Sequence, residues 1–129
     1  MAERRTIEQL LADARAGLIR LEPAAALIAQ NNGATLVDTR CGDDRRASGA
    51  IPGSVHIPLS VLFWRLDPTS GHHIPSLADP ARQVVLLCAD GYSSSIAAAT
   101  LVGLGFTRAT DMIGGFNAWV AAGLPVEPA

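Results

Sequence analysis

The residues best suited to covalent chemistry lie in the stretch VVLLCADGYSSSIAAATLVGLG, residues 84 to 105. An apolar run with strand character ends at a thiol, Cys88, and a helical pattern follows within a few residues. In an α/β layer fold, the first residue past a buried strand sits at the carboxyl edge of the sheet, where ligands bind. A helix starting at Ser93 or Ser94, with either serine as its cap, aims unpaired N–H groups and a partial positive charge at that edge. Both favour thiolate over thiol, so the Cys88 pKa is expected below the free value of about 8.5. Gly91, midway round, lets the backbone turn with its amides inward as an anion nest. Such a loop suits a nucleophilic sulfur, a bound anion or a charged sulfur adduct. A packed structural cysteine is the competing reading, and the local pattern leaves both open.

Other polar residues are weaker candidates. Asp38 and Arg40 end a second apolar strand at the same edge. Arg40 either lends positive charge to the site or pairs with Asp38 to brace the connection, and the brace is the favoured reading. Cys41 is either a second working thiol or an ordinary loop cysteine, the latter being favoured. His72 and His73 are adjacent and lack a third ligand motif, so they read as a solvated loop rather than a metal site. His56 reads as structural and Arg65 as a candidate for the rim of the site. Trp64 and Trp119 fall on apolar helix faces and are expected in the core. Tyr92, the one large side chain of the loop, is expected exposed at its tip.

The elements that must position these residues follow from hydrophobic spacing. Residues 7–16 are helical, with Thr6 as N-cap and Gly17 as the stop. Residues 18–22 are a short strand candidate, and Pro23 opens a second helix that ends at Asn31-Asn32-Gly33. Strands are expected over 35–39, 54–58, 83–87 and within 106–113. Helices are expected after Ser60 as its cap, over 94–104, and after Gly114-Gly115. Residues 40–53 read as a polar connection and 67–82 as a long loop. Strands alternating with helices, without hairpin signals, predict an α/β fold with a mostly parallel central sheet.

With 129 residues, the chain is expected to form one domain, 18–129, behind an N-terminal helical extension, 1–17. Hydrophobic residues make up 49% and charged residues 17%, enough for a packed core. The net charge is −2 and no basic stripe occurs, which argues against nucleic-acid or anionic-membrane partners. The first residues have no signal-like apolar core and no run has the length of a membrane span, so a cytoplasmic location is expected. Two cysteines make neither a disulfide framework nor a zinc pattern, and a reducing compartment suits a working thiol.

Four stretches in order resemble the rhodanese-like sulfurtransferase domain. LVDTR ends at Arg40, and GAIPGSVHIPL (49–59) is similar to the family's G-H-I-P-G-A-x-x-I-P segment. CADGYSS (88–94) lies where the family has its active-site loop, C-x-x-G-x-[RS]-[ST]. GGFNAWVAAGLPV (114–126) is similar to its closing G-G-x-x-x-W-x-x-x-G-x-P-V. The resemblance covers about residues 20 to 126. It implies a three-layer fold with a sheet of about five strands flanked by helices. It also implies sulfur transfer by covalent catalysis, in which a cysteine takes sulfane sulfur from thiosulfate or a persulfide and passes it to cyanide or a thiol. Carried onto this chain, Cys88 is the nucleophile. The loop Ala89, Asp90, Gly91, Tyr92, Ser93 and Ser94 cradles the persulfide, Arg40 is an accessory binding residue, and no metal or organic cofactor is required. The acceptor could be a partner protein.

The departures narrow these expectations. The loop has no arginine or lysine and places Asp90 beside the thiol, where a carboxylate would disfavour ionisation and repel a dianionic donor, an effect that is small if Asp90 points outward. The histidine of G-H-I-P-G is Ala50 here. Thiosulfate is therefore expected to be a poor donor relative to a persulfide. The alternative class is a low-activity sulfur carrier or regulatory module, which the presence of Cys88 opposes. Phosphatases and arsenate reductases of this fold end a seven-residue loop in arginine. Here the next arginine after Cys88 is Arg108, which removes the main electrostatic part of that chemistry.

Overall fold

The computed structural model describes residues 3–129, so the first two residues of the expected N-terminal extension lie outside the described residues. Helix α1 (Ile7–Ala16) starts in a capping box: the Thr6 hydroxyl accepts from the Gln9 N–H, and the Gln9 side chain accepts from the Thr6 N–H. Gly17 ends it. Pro23 occupies the first turn of α2 (Pro23–Asn31), where its missing N–H costs nothing. The chain then runs through β1 (Thr35–Asp38), α3 (Gly42–Ser48) and β2 (Val55–His56). A 3₁₀ turn at Leu59–Val61 leads into α4 (Leu62–Leu66), and β3 (Val84–Leu87) comes after the long loop. Last are α5 (Ser93–Gly103), β4 (Ala109–Asp111) and α6 (Gly115–Ala121).

The four strands form one parallel sheet in the order β2-β1-β3-β4. Strand β3 reads as a continuous apolar run, and β1 is apolar at its centre, because helices cover both faces. Val37, Val84 and Leu86 point to one side, where they pack with Leu62 and Leu66 of α4 and Ala97, Ala98 and Leu101 of α5. Leu36, Val85 and Leu87 point to the other, against Ala26 of α2 and Phe116 and Trp119 of α6. Burying one such leucine contributes about 1.5–3 kcal/mol, so the two cores fix where β1 and β3 end. Arg40, just beyond β1, and Cys88, just beyond β3, therefore fall on one edge of the sheet.

Several expectations need correction. The sheet has four strands, not about five: residues 18–22 make only a single parallel bridge, Leu21 to Met112. Gly17 and Pro23 crowd that segment between two helices, leaving room for two backbone hydrogen bonds, from Leu21 N to Asp111 O and from Ile113 N to Leu21 O. The connection 40–53 contains α3, a helix with no buried residue that the apolar period cannot reveal. Its acidic first turn and basic last turn match the helix dipole. Ser60 lies inside the 3₁₀ turn and caps nothing, since Val61 is the residue before α4. Trp119 is buried as expected, but Trp64 is 57% exposed. No helix among the described residues is long and apolar enough to cross a membrane.

Candidate active site

Cys88 leaves β3 buried, with 9% of its surface exposed. The chain turns at Gly91, whose φ is +84°, and enters α5 through Tyr92. Neither Ser93 nor Ser94 is the cap. Tyr92 holds that position without a side-chain bond. Turning back, the Gly91 amide donates to Cys88 Sγ at 3.1 Å, and the Ser94 hydroxyl lies 3.4 Å from it.

The loop's carbonyls are fastened from outside. The amides of Phe116 and Asn117, in the first turn of α6, donate to the carbonyls of Cys88 (2.8 Å) and Ala89 (3.1 Å). That approach needs Gly115: a Cβ there would lie 2.7 Å from the Ala89 carbonyl carbon. The Gly91 carbonyl accepts from Arg15 Nη2 (2.8 Å) and Arg20 Nη2 (3.1 Å), and the Ser95 hydroxyl, whose proton goes to Asp111, lies 3.3 Å from it. With three carbonyls bound on the outside, the loop is left to present amide hydrogens to the sulfur.

Behind the loop sits Asp111, the last residue of β4 and fully buried. It accepts from Ser94 (2.7 Å), Ser95 (2.8 Å) and a two-pronged Arg20 (2.8 and 3.2 Å). Burial pushes the Cys88 thiol up. The hydroxyls of Ser94 and Ser93 and the amides of Ser94 and Gly91 outweigh it, and hold the group below the ordinary thiol value.

The remaining sequence candidates separate into neighbours and bystanders. Asp90 is exposed, and its carboxylate accepts from the Asn117 side chain at 2.7 Å, which turns it toward α6 rather than the sulfur. Tyr92 is 62% exposed at the loop tip. Arg40 is buried and braces the connection: it pairs with Asp38 at 2.7 Å, donates to the Gly49 carbonyl and lies 3.7 Å over the Phe116 ring. It also lines a small cleft with Ala89 and Asn117. His56 is tied to the Arg40 carbonyl, and Arg65 donates to the carbonyl of His72 in the long loop. Arg108 reaches Gln83 at the start of β3, the opposite end of that strand from Cys88. Sequence reading missed Arg15, Arg20, Ser95 and Asp111. The one signal for Asp111 was a lone carboxylate within an expected strand.

The model of the rhodanese-like domain matches residues 21–122. A thiosulfate sulfurtransferase GlpE of Pseudomonas savastanoi is 37% identical over 102 residues, which span 79% of this chain and 87% of that protein. The GlpE of Ectopseudomonas mendocina is 36% identical over 110 residues, 85% and 91% of the two chains. Among solved structures, a Rhodopseudomonas palustris protein described as of unknown function and a possible tyrosine phosphatase superposes with a TM-score of 0.88 at 30% identity, covering 98% of both chains. The polysulfide-sulfur transferase homodimer of Wolinella succinogenes superposes with a TM-score of 0.66 at 28% identity, covering 91% of this chain and 83% of that one.

Proposed function

The chain belongs to the rhodanese-like domain family and is a sulfurtransferase, and from that premise we propose that it works through a persulfide on Cys88. The observation that carries the reading is the convergence of the Gly91 amide and the Ser94 hydroxyl on Cys88 Sγ. In the first half-reaction the thiolate attacks the outer sulfur of a donor. With thiosulfate, the new S–S bond forms as the old one breaks, and sulfite leaves with the electron pair. The product Cys88–S–S⁻ keeps one negative charge, which the inward amides of the loop from Ala89 to Ser94 solvate. In the second half-reaction an acceptor thiolate or cyanide attacks that terminal sulfur, and Cys88 departs as thiolate. No step needs an external oxidant or reductant.

Donor preference follows from charge. The loop has no basic side chain, Arg40 and Arg45 share the Asp38 carboxylate, and Asp44 lines the same cleft as Arg40. A dianion therefore finds little local attraction at the mouth, and a persulfide donor of lower charge is the better substrate. Phosphatase chemistry is disfavoured because Arg108, the first arginine after Cys88, reaches Gln83 at the far end of β3. A low-activity carrier or regulatory module would rest on Asp90 and on the missing basic loop residue; Asp90 is tied to Asn117 and leaves the sulfur unopposed.

The test is intact mass after incubation with thiosulfate and, separately, with a glutathione persulfide. The expected result is a gain of one sulfur that cyanide removes and that Cys88→Ser abolishes. Failure of both donors to leave a cyanide-labile sulfur on Cys88 would overturn the reading.

A further inference from the structure

Both cations behind the loop come from residues ahead of the family match, which begins at residue 21. Arg15 lies in the last turn of α1, and Arg20 in the short link beyond it. Helix α1 packs on α5, the helix that starts at the active-site loop. From there Arg15 makes three contacts: Nη2 to the Gly91 carbonyl, Nε to the Ser95 hydroxyl (3.1 Å), and its guanidinium 5.5 Å from the centre of the Tyr92 ring. Each contact falls on the loop or the first turn of α5. We infer that the N-terminal helix is part of the catalytic unit, with Arg15 as a positioning residue that, together with Arg20, orients the active-site loop through the Gly91 carbonyl and supplies the positive charge the loop lacks.

Two physical steps connect Arg15 to the sulfur. The first is geometric. The peptide is planar and trans, so anchoring the Gly91 carbonyl toward the arginines turns the Tyr92 N–H the opposite way. The residue that is anchored is the same one whose own N–H meets Cys88 Sγ. The second step is electrostatic. The charged groups around the thiol are Asp111, Arg20 and Arg15 behind the loop, Asp90 turned toward Asn117, Arg40 and Arg45 sharing Asp38, and Asp44 in the cleft beside Arg40. Asp111 offsets one of the two rear guanidiniums, which leaves one positive charge uncompensated beneath the loop. Part-buried and held by hydrogen bonds, that charge acts on the thiolate with less screening than a surface arginine. The role of the loop rests on the persulfide reading, but the effect on the thiol does not.

The test therefore reads the thiol directly. In a Cys41→Ser background, which leaves Cys88 as the one thiol, the pH profile of iodoacetamide alkylation is measured for Arg15 and for Arg15→Gln. The inflection is expected to rise by about half to one unit in Arg15→Gln, slowing alkylation at neutral pH about three- to tenfold. Arg15→Lys, which keeps the charge but only one donor nitrogen in place of the two that Arg15 uses, is expected to recover part of the loss. Sulfur transfer should lose kcat more than KM. Arg15→Met keeps the stem packed on Tyr92 and repeats the test if the Gln variant unfolds. A folded Gln or Met variant with the wild-type inflection and wild-type kcat overturns the inference. Wild-type protein whose Cys88 alkylates readily but accepts no sulfur from any donor would overturn the persulfide reading and leave this one standing.

Discussion

The Gly91 amide nitrogen lies 3.1 Å from Cys88 Sγ, and this contact exists only because residue 91 has no side chain. At φ +84° a Cβ would lie 2.7 Å from the Gly114 nitrogen and 3.2 Å from the Met112 carbonyl oxygen. Both obstacles are backbone, so neither can rotate away. Gly91→Ala is expected to cost about 2–4 kcal/mol from the left-handed strain and the overpacking together. It should also lower the neutral-pH alkylation rate of Cys88 by about tenfold or more, since the shifted loop no longer donates to the thiolate. Thermal denaturation and the iodoacetamide rate check the two parts separately. Wild-type alkylation in a folded Gly91→Ala protein would show that the amide does not set the reactivity of the thiol.

Ser94 has one hydroxyl proton for two acceptors, Asp111 at 2.7 Å and the sulfur at 3.4 Å. When Cys88 is a thiol, its S–H donates to Ser94, which donates to Asp111. When Cys88 ionises, the Ser94 proton can turn to the sulfur, because Ser95 and Arg20 still hold Asp111. Ser94→Ala removes that switch, and the alkylation inflection should rise by about one unit. The same shift sets the sign of a stability effect. A thiol depressed in the folded state adds stability that is fully present above the unfolded pKa of about 8.5 and is lost as pH falls through the lower folded value. Wild type should therefore gain on Ser94→Ala between neutral pH and pH 9 in urea unfolding. A constant gap between the two proteins across that window would contradict a Ser94 bond to the thiolate.

What the sequence made legible was whatever is local. A buried strand, a glycine and a helix start occur within ten residues of one another, so Cys88 and its loop could be placed without the fold. Helix α3 was hidden because none of its residues is buried and it leaves no apolar period. The Asp111–Arg20 pair was hidden for a different reason: its members stand 91 residues apart and meet only once the segment around Leu21 lies beside β4. The effect of Asp90 turned on its direction, which the sequence left open. Sequence puts that carboxylate two residues from the thiol, and only the position of Asn117 reveals that it faces away.

Because Asp90 is exposed and held by Asn117, removing its charge should not move the thiol. Asp90→Asn is expected to leave the alkylation inflection of Cys88 where it is. Asp90→Arg should instead improve capture of a dianionic donor, lowering KM for thiosulfate several-fold with little change in kcat, and the gain should shrink as salt is added. Steady-state kinetics across a salt series separate these outcomes. An inflection that moves in Asp90→Asn would place the carboxylate in contact with the thiol's field after all.

Asp111 is the fully buried carboxylate that joins β4, α5 and the N-terminal link. Its partner Arg20 keeps 15% of its side chain exposed, so the pair is only partly screened by water. Replacing one member of a buried pair leaves the other charge uncompensated, which costs about 3–5 kcal/mol when burial is complete. Asp111→Asn keeps the shape and removes the charge, and the exposure of Arg20 relieves part of the penalty, so a loss of about 2–4 kcal/mol is expected. Arg20→Gln in the same chain should return some of it, giving a coupling of about 1 kcal/mol or more in a double-mutant cycle. Additive losses would mean the two residues act separately, and that the carbonyl of Gly91, not Asp111, is what Arg20 chiefly serves.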